Sequence, residues 1–194
     1  MATLSIKTAT PAEADQCIAV IVLAFSSDPG VRWMYPDPQQ YLNNFPHFVR
    51  AFGGRAFQQN TAQYVDRFFA AALWLPPEVS PDEEALAELI ENSVSENHRE
   101  AVYALFEEIG GYHPQEPHWH LPFIGTDPTK CGEGYGSALL QHALAVCDQQ
   151  QKLAYLEATS PRNVPLYRRH GFEVLGTIQV GTSPPITPML RKPR

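Results

Sequence analysis

The spacing of apolar residues changes repeatedly along the chain between a period of two and a period near 3.6, which predicts a mixture of strands and helices. Alternating or continuous apolar runs predict strands at residues 4–8, 62–65, 69–75, 118–126, 153–158, 172–180 and 187–190. Apolar residues three or four positions apart predict helices at residues 11–25, 40–52, 81–93, 97–109, 138–147 and 163–170. Strands and helices do not alternate strictly, so we expect an α+β fold with a mixed sheet rather than a repeating βαβ series.

Short motifs mark the ends of several of these helices. Thr10-Pro11-Ala12-Glu13 and Ser80-Pro81-Asp82-Glu83 each combine a capping hydroxyl, a proline at the first helical position and a glutamate three residues after the cap. Gly110-Gly111 is expected to break the fourth helix, and Gly171 is expected to close the last one.

Aromatic residues are concentrated in the first half of the chain. Residues 31–36 contain Trp33 and Tyr35 and are expected to form a loop. Because loops carry many binding residues, these two side chains either pack in the core or line a substrate pocket. The aromatic stripe of the 40–52 helix is expected to be core. A homodimer interface on this half is left open.

Composition narrows the class of protein. The chain has 194 residues, enough for one domain with a sizeable core, and its net charge is −7. This acidic balance argues against a nucleic-acid or anionic-membrane surface. The three cysteines are far apart and odd in number, which favours a reducing compartment over a disulfide framework. No apolar run reaches membrane-spanning length and residues 1–4 lead into no signal-peptide pattern, so we expect a cytoplasmic protein.

A glycine-rich loop lies between the predicted 118–126 strand and the helix that follows it. Glycine occupies every second position at Gly132, Gly134 and Gly136, which leaves few Cβ atoms in the loop. Its N–H groups can converge on an anion, aided by the positive end of the following helix and by the Ser137 hydroxyl. The loop is therefore a candidate diphosphate cradle.

Four interpretations of this loop are open from its residues. A dinucleotide site of the G-x-G-x-x-G type would place Ser137 where the third glycine belongs, although Glu157 lies where the ribose-binding acid should. A Walker loop would need a lysine between Gly136 and Ser137. The third interpretation is a plain turn without a ligand. The fourth is the coenzyme A diphosphate pattern Gln/Arg-x-x-Gly-x-Gly/Ala, which residues 131–136 match at both glycines but not at Cys131.

A second motif follows the loop in the chain. Residues 156–174 run Leu-Glu-Ala-Thr-Ser-Pro-Arg-Asn-Val-Pro-Leu-Tyr-Arg-Arg-His-Gly-Phe-Glu-Val. With the glycine loop, this stretch resembles the GNAT acetyltransferases, in which a strand end, an asparagine, a tyrosine and a His-Gly-Phe turn follow the diphosphate loop. From residue 112 onwards the chain is most similar to the puromycin N-acetyltransferase branch, through segments 117–119, 131–136, 156–163, Tyr167, Gly171-Phe172 and 189–193.

This resemblance implies a twisted, mostly antiparallel sheet that is flanked by helices and splayed between its two central parallel strands. Within a single domain of residues 1–194, residues 1–111 would shape the acceptor side and residues 112–194 would bind acetyl-CoA. The coenzyme arm would pair with the backbone near residues 124–126 and accept a hydrogen bond from Asn163. The coenzyme-binding residues that the resemblance implies are Ile124, Gly125, Thr126, Cys131, Gly132, Glu133, Gly134, Tyr135, Gly136, Ser137 and Asn163.

The resemblance also suggests catalytic roles. Tyr167 would face the coenzyme sulfur as general acid, since a phenol with a pKa of about 10 is protonated at neutral pH and is near the thiol pKa of about 8.5. His120 is the candidate base, because it falls where histone-acetylating relatives place a glutamate and an imidazole can accept a proton at neutral pH. Glu116 and His118 are rival bases through a water chain. The candidate substrate-binding residues are Trp33, Tyr35, Glu116 and His118.

No metal is expected, because the pattern His118-x-His120 with Cys131 lacks a fourth ligand and fits no zinc spacing. The sequence thus predicts an N-acetyltransferase that moves acetyl from acetyl-CoA to the amine of a small molecule by direct attack in a ternary complex. Two alternatives are an acyl-CoA-binding module without turnover and, on weaker support, a dinucleotide-dependent oxidoreductase. We expect no nucleic-acid or membrane partner.

Overall fold

The structure is a computed structural model, and it describes residues 4–194. The segment 1–4, which was expected to lead into no signal peptide, includes residues 1–3, and these three lie outside the described residues. The elements in chain order are β1 (Ile6–Thr8), α1 (Ala14–Ala24), α2 (Pro29–Met34), α3 (Pro38–Gly53), α4 (Arg55–Gln58), β2 (Ala62–Val65), β3 (Ala70–Leu75), α5 (Glu83–Ser93), α6 (Glu96–Tyr112), β4 (His118–Thr126), α7 (Tyr135–Gln149), β5 (Leu153–Ala158), α8 (Val164–Arg169), β6 (Glu173–Val174) and β7 (Thr187–Arg191).

The strands form one seven-stranded sheet in the order β1-β2-β3-β4-β5-β7-β6. The central pair β4 and β5 is parallel, and every other neighbouring pair in this sheet is antiparallel. The parallel pair is connected through α7, as a parallel crossover requires. This architecture confirms the predicted α+β fold with a mixed, mostly antiparallel sheet.

The two central strands separate part of the way along their length. They pair only at His118–His120 against Leu153–Tyr155, whereas β4 continues to Thr126 and β5 continues to Ala158. Beyond Tyr155 the facing edges of the strands are free of each other, so a wedge opens in the middle of the sheet. The predicted splay between the two central parallel strands is therefore confirmed.

A β-bulge in β4 lies next to this wedge. Leu73 pairs with Phe123 and Leu75 pairs with His120, so β4 has one residue more than β3 between the two pairs. The bulge contains Pro122, which has no N–H to donate to a neighbouring strand. As a result, His120 and Phe123 both contact Phe52 of α3 on one face of the sheet.

Helices cover both faces of the sheet and bury two apolar layers. Helix α7 packs Leu139 and Leu140 against strand residues such as Leu156 on one face. Helices α1 and α3 cover the other face with an aromatic-rich layer. At Gly125 an added Cβ would lie 2.8 Å from Cβ of Ala24, so glycine allows α1 to approach β4 closely.

The predicted loop at residues 31–36 and the predicted helix break at Gly110-Gly111 were both wrong. Residues 31–36 do not form a loop, because α2 covers Pro29–Met34 and begins where the Asp28 carboxylate accepts hydrogen bonds from the N–H groups of Gly30 and Val31. Helix α6 continues through Gly110-Gly111 to Tyr112. Its end is set instead by Pro114, which keeps His113 extended and outside the helix.

Two further boundaries differ from the prediction. Asp82 rather than Ser80 caps α5, since its carboxylate accepts from the Ala85 N–H at 3.2 Å. The predicted 172–180 strand is reduced to Glu173–Val174 and one bridge between Ile178 and Ile186. Within residues 4–194, no helix is both long enough and apolar enough to cross a membrane.

Candidate active site

A groove runs from the open wedge of the sheet to the start of α7. Its walls come from the end of β4, the glycine loop and α8. Residues that line it are Ile124, Gly125, Thr126, Lys130, Cys131, Gly132, Gly134, Tyr135, Gly136, Ser137, Asn163, Tyr167 and Arg169. Every predicted coenzyme-binding residue except Glu133 therefore borders one groove, and the role of each stays a prediction.

The glycine loop has the backbone that an anion cradle needs. Gly132 and Gly134 have φ values of +86° and +88°, in the left-handed region that disfavours side chains. A Cβ added at either glycine would point into space with no protein atom within 4 Å. Helix α7 begins directly after Gly134 and no side chain caps its first N–H groups. These residues fit a diphosphate group.

Two of the predicted loop contacts have other partners. The Glu133 carboxylate lies 3.4 Å from Nζ of Lys130 and does not line the groove, so any contact of Glu133 with the coenzyme would come from its backbone. The Ser137 hydroxyl borders the groove but is hydrogen-bonded to Nε2 of His170 at 2.8 Å. Lys130 and Arg169 line the groove and supply positive charge for phosphates.

A second, apolar cavity lies on the α1–α3 side of the sheet. Aromatic rings from six segments line it: Phe25, Trp33, Phe48 and Phe52, Phe106, Phe123, and Tyr167. Trp33 lines this cavity, and its indole N–H donates to the Thr182 hydroxyl at 3.2 Å; its role in substrate binding stays a prediction. Such a cavity favours an apolar ligand.

The groove and the cavity meet at Tyr167 and Asn163, which line both. Tyr167 is 6% exposed, and its burial raises the pKa of the phenol above its ordinary value, so it stays protonated at neutral pH. Asn163 precedes α8 but its side chain makes no capping bond to that helix. Its amide is therefore available to a ligand at the junction.

One carboxylate faces the apolar cavity from the end of β5. Glu157 lines the cavity, and its side chain is only 8% exposed. Its Oε2 lies 3.0 Å from Nε2 of His120, and its Oε1 lies 3.0 Å from Nε2 of His113. Burial alone would raise the pKa of Glu157, but the two imidazoles outweigh it and lower the pKa below the ordinary value. The carboxyl group is ionised.

The predicted base, His120, does not line the apolar cavity itself. It is 5% exposed, packs edge-on to Phe52, and reaches the cavity only through Glu157. As the candidate base, His120 would therefore act through Glu157 rather than by direct contact with a ligand in the cavity.

Three predicted substrate-binding residues lie outside both the groove and the apolar cavity. Tyr35 is fully buried and its hydroxyl bonds to the Ser93 hydroxyl at 2.9 Å, so it packs in the core. His118 lies at the start of β4, where its Nδ1 is 2.8 Å from the Glu116 carbonyl. Burial lowers the pKa of His118, which favours a neutral ring.

Neither Glu157 nor His113 was predicted as a residue of an acetyl-transfer site, and Glu157 was considered only as the ribose-binding acid of the dinucleotide alternative. Glu157 is part of the Leu156-Glu157-Ala158 segment, and a lone carboxylate in a buried strand was the available signal. His113 carried no signal, because only the path of the chain after α6 brings it to β5. The cluster depends on three separate elements and cannot be read from spacing.

Comparisons with known proteins agree with this geometry. Residues 93–174 match the family model described as an acetyltransferase (GNAT) domain. An uncharacterised N-acetyltransferase of Schizosaccharomyces pombe is 30% identical over 78 residues, which are 39% of this chain and 32% of that protein. The match therefore spans about a third of that relative's length.

Solved acetyltransferases share the fold over nearly the whole chain. A structure described as histone acetyltransferase HPA2 and related acetyltransferase, from Corynebacterium glutamicum, has a TM-score of 0.71 at 26% identity and covers 99% of this chain and 97% of its own. Drosophila melanogaster polyamine N-acetyltransferase has a TM-score of 0.70 at 13% identity, covering 98% and 100%. Arylalkylamine N-acetyltransferase 2 of Aedes aegypti has a TM-score of 0.67 at 12% identity, covering 99% and 100%. Residues 93–174 therefore match a GNAT acetyltransferase domain, and the whole chain shares its fold with solved acetyltransferases.

Proposed function

We propose that this protein transfers the acetyl group of acetyl-CoA to the amine of a small, apolar molecule. The observation that carries the proposal is the position of Tyr167 and Asn163 where a diphosphate-type groove meets an apolar cavity. A transferase that joins two substrates directly needs two such spaces with a shared wall.

The coenzyme would be held mainly by backbone groups. The N–H groups around Gly132, Gly134 and Gly136 and the start of α7 suit the diphosphate, with Lys130 and Arg169 beside them. The free edge of β4 near residues 124–126 suits the extended arm, and the Asn163 amide suits its polar groups. When bound, acetyl-CoA supplies an activated acetyl thioester.

Tyr167 would donate its proton to the departing sulfur. The burial that raises the phenol pKa acts equally on a thiolate placed beside it, because both charged forms are disfavoured by desolvation. Transfer of the proton from the phenol to the thiolate is therefore less unfavourable than the raised pKa of the phenol alone suggests. This role agrees with a general acid that acts late, as the carbon–sulfur bond breaks.

Glu157 would accept the proton that the amine loses as the carbon–nitrogen bond forms. It is an acidic residue of the apolar cavity wall, and His120 behind it can share the proton through the 3.0 Å contact between Nε2 and Oε2. His120 would therefore still take part in proton transfer, but through Glu157 and not by contact with the substrate.

The cavity favours a hydrophobic monoamine over a polyamine. Among the described residues that line it, Glu157 provides the one carboxylate, whereas most of the wall is aromatic or aliphatic. A polyamine would bury further ammonium groups without partners, at a cost of several kcal/mol. An arylalkylamine or alkylamine places its ammonium at the carboxylate and its body against the rings. Membership of the puromycin branch remains part of this proposal, as a resemblance in sequence.

An amine panel tests the proposal. Free thiol released from acetyl-CoA would be followed with phenethylamine, hexylamine, puromycin, agmatine and spermidine. We expect turnover with at least one aryl or alkyl monoamine and weaker turnover with the polyamines. Acetyl-CoA binding without thiol release for any amine would indicate a binding module. A thermal shift with NAD but not with CoA would support an oxidoreductase instead.

A further inference from the structure

Three potential metal ligands converge behind the acceptor cavity. They are Nε2 of His113 just after α6, Nε2 of His120 on β4 and the carboxylate of Glu157 on β5, and these ligand atoms all lie within 4.8 Å of one another. We propose that His113, His120 and Glu157 form a binding site for a divalent transition-metal ion of the zinc class.

The first support is a buried carboxylate oxygen without an aligned donor. Oε1 of Glu157 is enclosed by protein and, among residues 4–194, accepts no hydrogen bond of good geometry. His113 Nε2 is only 3.0 Å away, yet the ring nitrogen is not aligned to donate to it. When a nitrogen and an oxygen lie this close without forming a hydrogen bond, both atoms can instead direct their lone pairs at one cation.

The second support comes from the hydrogen bonds behind His113. The Glu116 carbonyl can only accept, so the proton of neutral His118 lies on Nδ1, which is 2.8 Å from that oxygen. Nε2 of His118 is then an acceptor for Nδ1–H of His113 at 3.2 Å. In the metal-bound form His113 would therefore present the lone pair of Nε2 to the ion, in place of the proton that Nε2 can share with Glu157 in the metal-free form. A histidine whose other nitrogen donates to an outer partner is the usual arrangement of a metal ligand.

The ligand chemistry selects the class of ion. Two imidazole nitrogens and one carboxylate oxygen match the three-ligand sets of zinc sites that keep an open fourth position. With bonds of about 2.1 Å and a tetrahedral angle, such ligands lie about 3.4 Å apart, within the 4.8 Å that encloses one ligand atom from each of the three residues. Calcium and magnesium are disfavoured because they prefer oxygen ligands.

An entry path exists that avoids the acceptor cavity. His113 and His120 line a separate pocket, which opens between α5 and α6 beside Phe106 and Leu86. Glu157 faces the acceptor cavity on the other side. An ion could therefore reach the three ligands from solvent while the acceptor cavity is occupied.

The site has a consequence that rests on the proposed function. Glu157 and His120 are the pair proposed to accept the proton of the amine, and a bound ion would occupy the lone pairs that this step needs. The metal-free protein would then be the active form, and zinc would inhibit it reversibly.

Metal binding can be measured without reference to activity. Metal-free protein would be titrated with Co²⁺ alone, followed by visible absorption, and with Zn²⁺ alone, followed by calorimetry. We expect one ion per chain and a cobalt spectrum typical of four-coordination. His118→Asn removes a hydrogen-bond partner of the ligand His113 and should weaken metal binding about 10- to 100-fold. His113→Asn removes a ligand itself and should weaken metal binding more than that. The matched control is His142→Asn, an exposed residue of α7, which should bind as the wild type does.

The outcomes separate the site from the enzyme activity. Absence of saturable binding by the wild type, or equal affinity in His113→Asn with a wild-type melting curve, would overturn the site. Glu157→Gln keeps the side-chain shape and should also lose the ion if the carboxylate is a ligand. Zinc binding without inhibition of acetyl transfer would refute only the inhibitory consequence. A protein that binds zinc but never releases thiol would leave the site intact and refute the proposed function.

Discussion

Replacing Tyr167 by phenylalanine removes one oxygen atom from the point where the groove and the acceptor cavity meet. The ring would stay in its place, since it is 6% exposed and packs edge-on to Phe172 at 6.1 Å between ring centroids. The phenol pKa is raised by burial and by the charge of Asp28, with no hydrogen bond contributing. The substitution therefore changes the chemistry of the junction without breaking a bond that holds the fold.

The expected size follows from this geometry. A general acid contributes about 10²- to 10⁴-fold to a rate, and a buried acid with a raised pKa should fall at the lower end. We expect kcat to fall about 100-fold, equivalent to about 2.7 kcal/mol of transition-state stabilisation. The free energy of unfolding should change by less than about 1 kcal/mol, because no protein hydrogen bond is lost. The dissociation constant for acetyl-CoA should change little, since the diphosphate is held by the loop.

Thiol release under saturating acetyl-CoA and amine would measure kcat, and calorimetry would measure acetyl-CoA binding. Tyr64→Phe is the matched control, because it removes a phenol oxygen bonded to Glu13, away from both spaces, and should leave kcat unchanged. Full activity of Tyr167→Phe would remove the phenol from the mechanism. A loss explained wholly by weaker acetyl-CoA binding would show that Tyr167 positions the coenzyme rather than donating a proton.

Three further substitutions test other parts of the account. Cys131→Arg restores the usual charged residue beside the loop and should tighten acetyl-CoA binding, measured by calorimetry; an unchanged or weaker affinity would count against it. Gly134→Ala should weaken acetyl-CoA binding about tenfold or more and cost about 1 kcal/mol of stability, because a φ of +88° strains a residue with a Cβ and the proposed cradle depends on this backbone conformation; wild-type affinity would contradict the cradle. Asp148→Asn should destabilise the fold by about 2 kcal/mol at pH 7 in urea unfolding, because it breaks a two-point ion pair with the buried Arg191. Arg191 lowers the pKa of Asp148, so the ion pair stabilises the fold at pH values above the ordinary carboxyl pKa. The difference in unfolding free energy between the variant and the wild type should therefore shrink as the pH falls below about 4. A difference that persists in acid would refute the ion-pair explanation.

Local patterns in the sequence predicted the parts of the site that are continuous in the chain. The strand, the glycine loop and the start of α7 lie next to one another, so apolar spacing and glycine placement were sufficient to find them. The short helix carrying Tyr167 was predicted for the same reason. Residues Asp28-Pro29 contained a start signal for α2 that went unused, namely a capping carboxylate followed by proline.

The cluster of Glu157, His113 and His120 could not be predicted because it is assembled from distant segments. Glu157 gained a role only when His113 and His120 were placed around it, and spacing cannot report a contact between α6, β4 and β5. The bulge in β4 shifts the register of this strand next to His120, and a single-residue irregularity has no clear signature in an apolar strand. Tyr35 was ambiguous because an aromatic residue packs or binds according to its neighbours, and here the neighbour is Ser93.

A crystal structure with bound acetyl-CoA is the most direct test of the central claim that the opened wedge of the sheet presents a thioester to Tyr167. We expect the diphosphate against the N–H groups of residues 132–136, the arm along residues 124–126, and the sulfur within hydrogen-bond reach of the Tyr167 hydroxyl. Acetyl-CoA bound elsewhere, or a Tyr167 hydroxyl directed away from the sulfur, would contradict it.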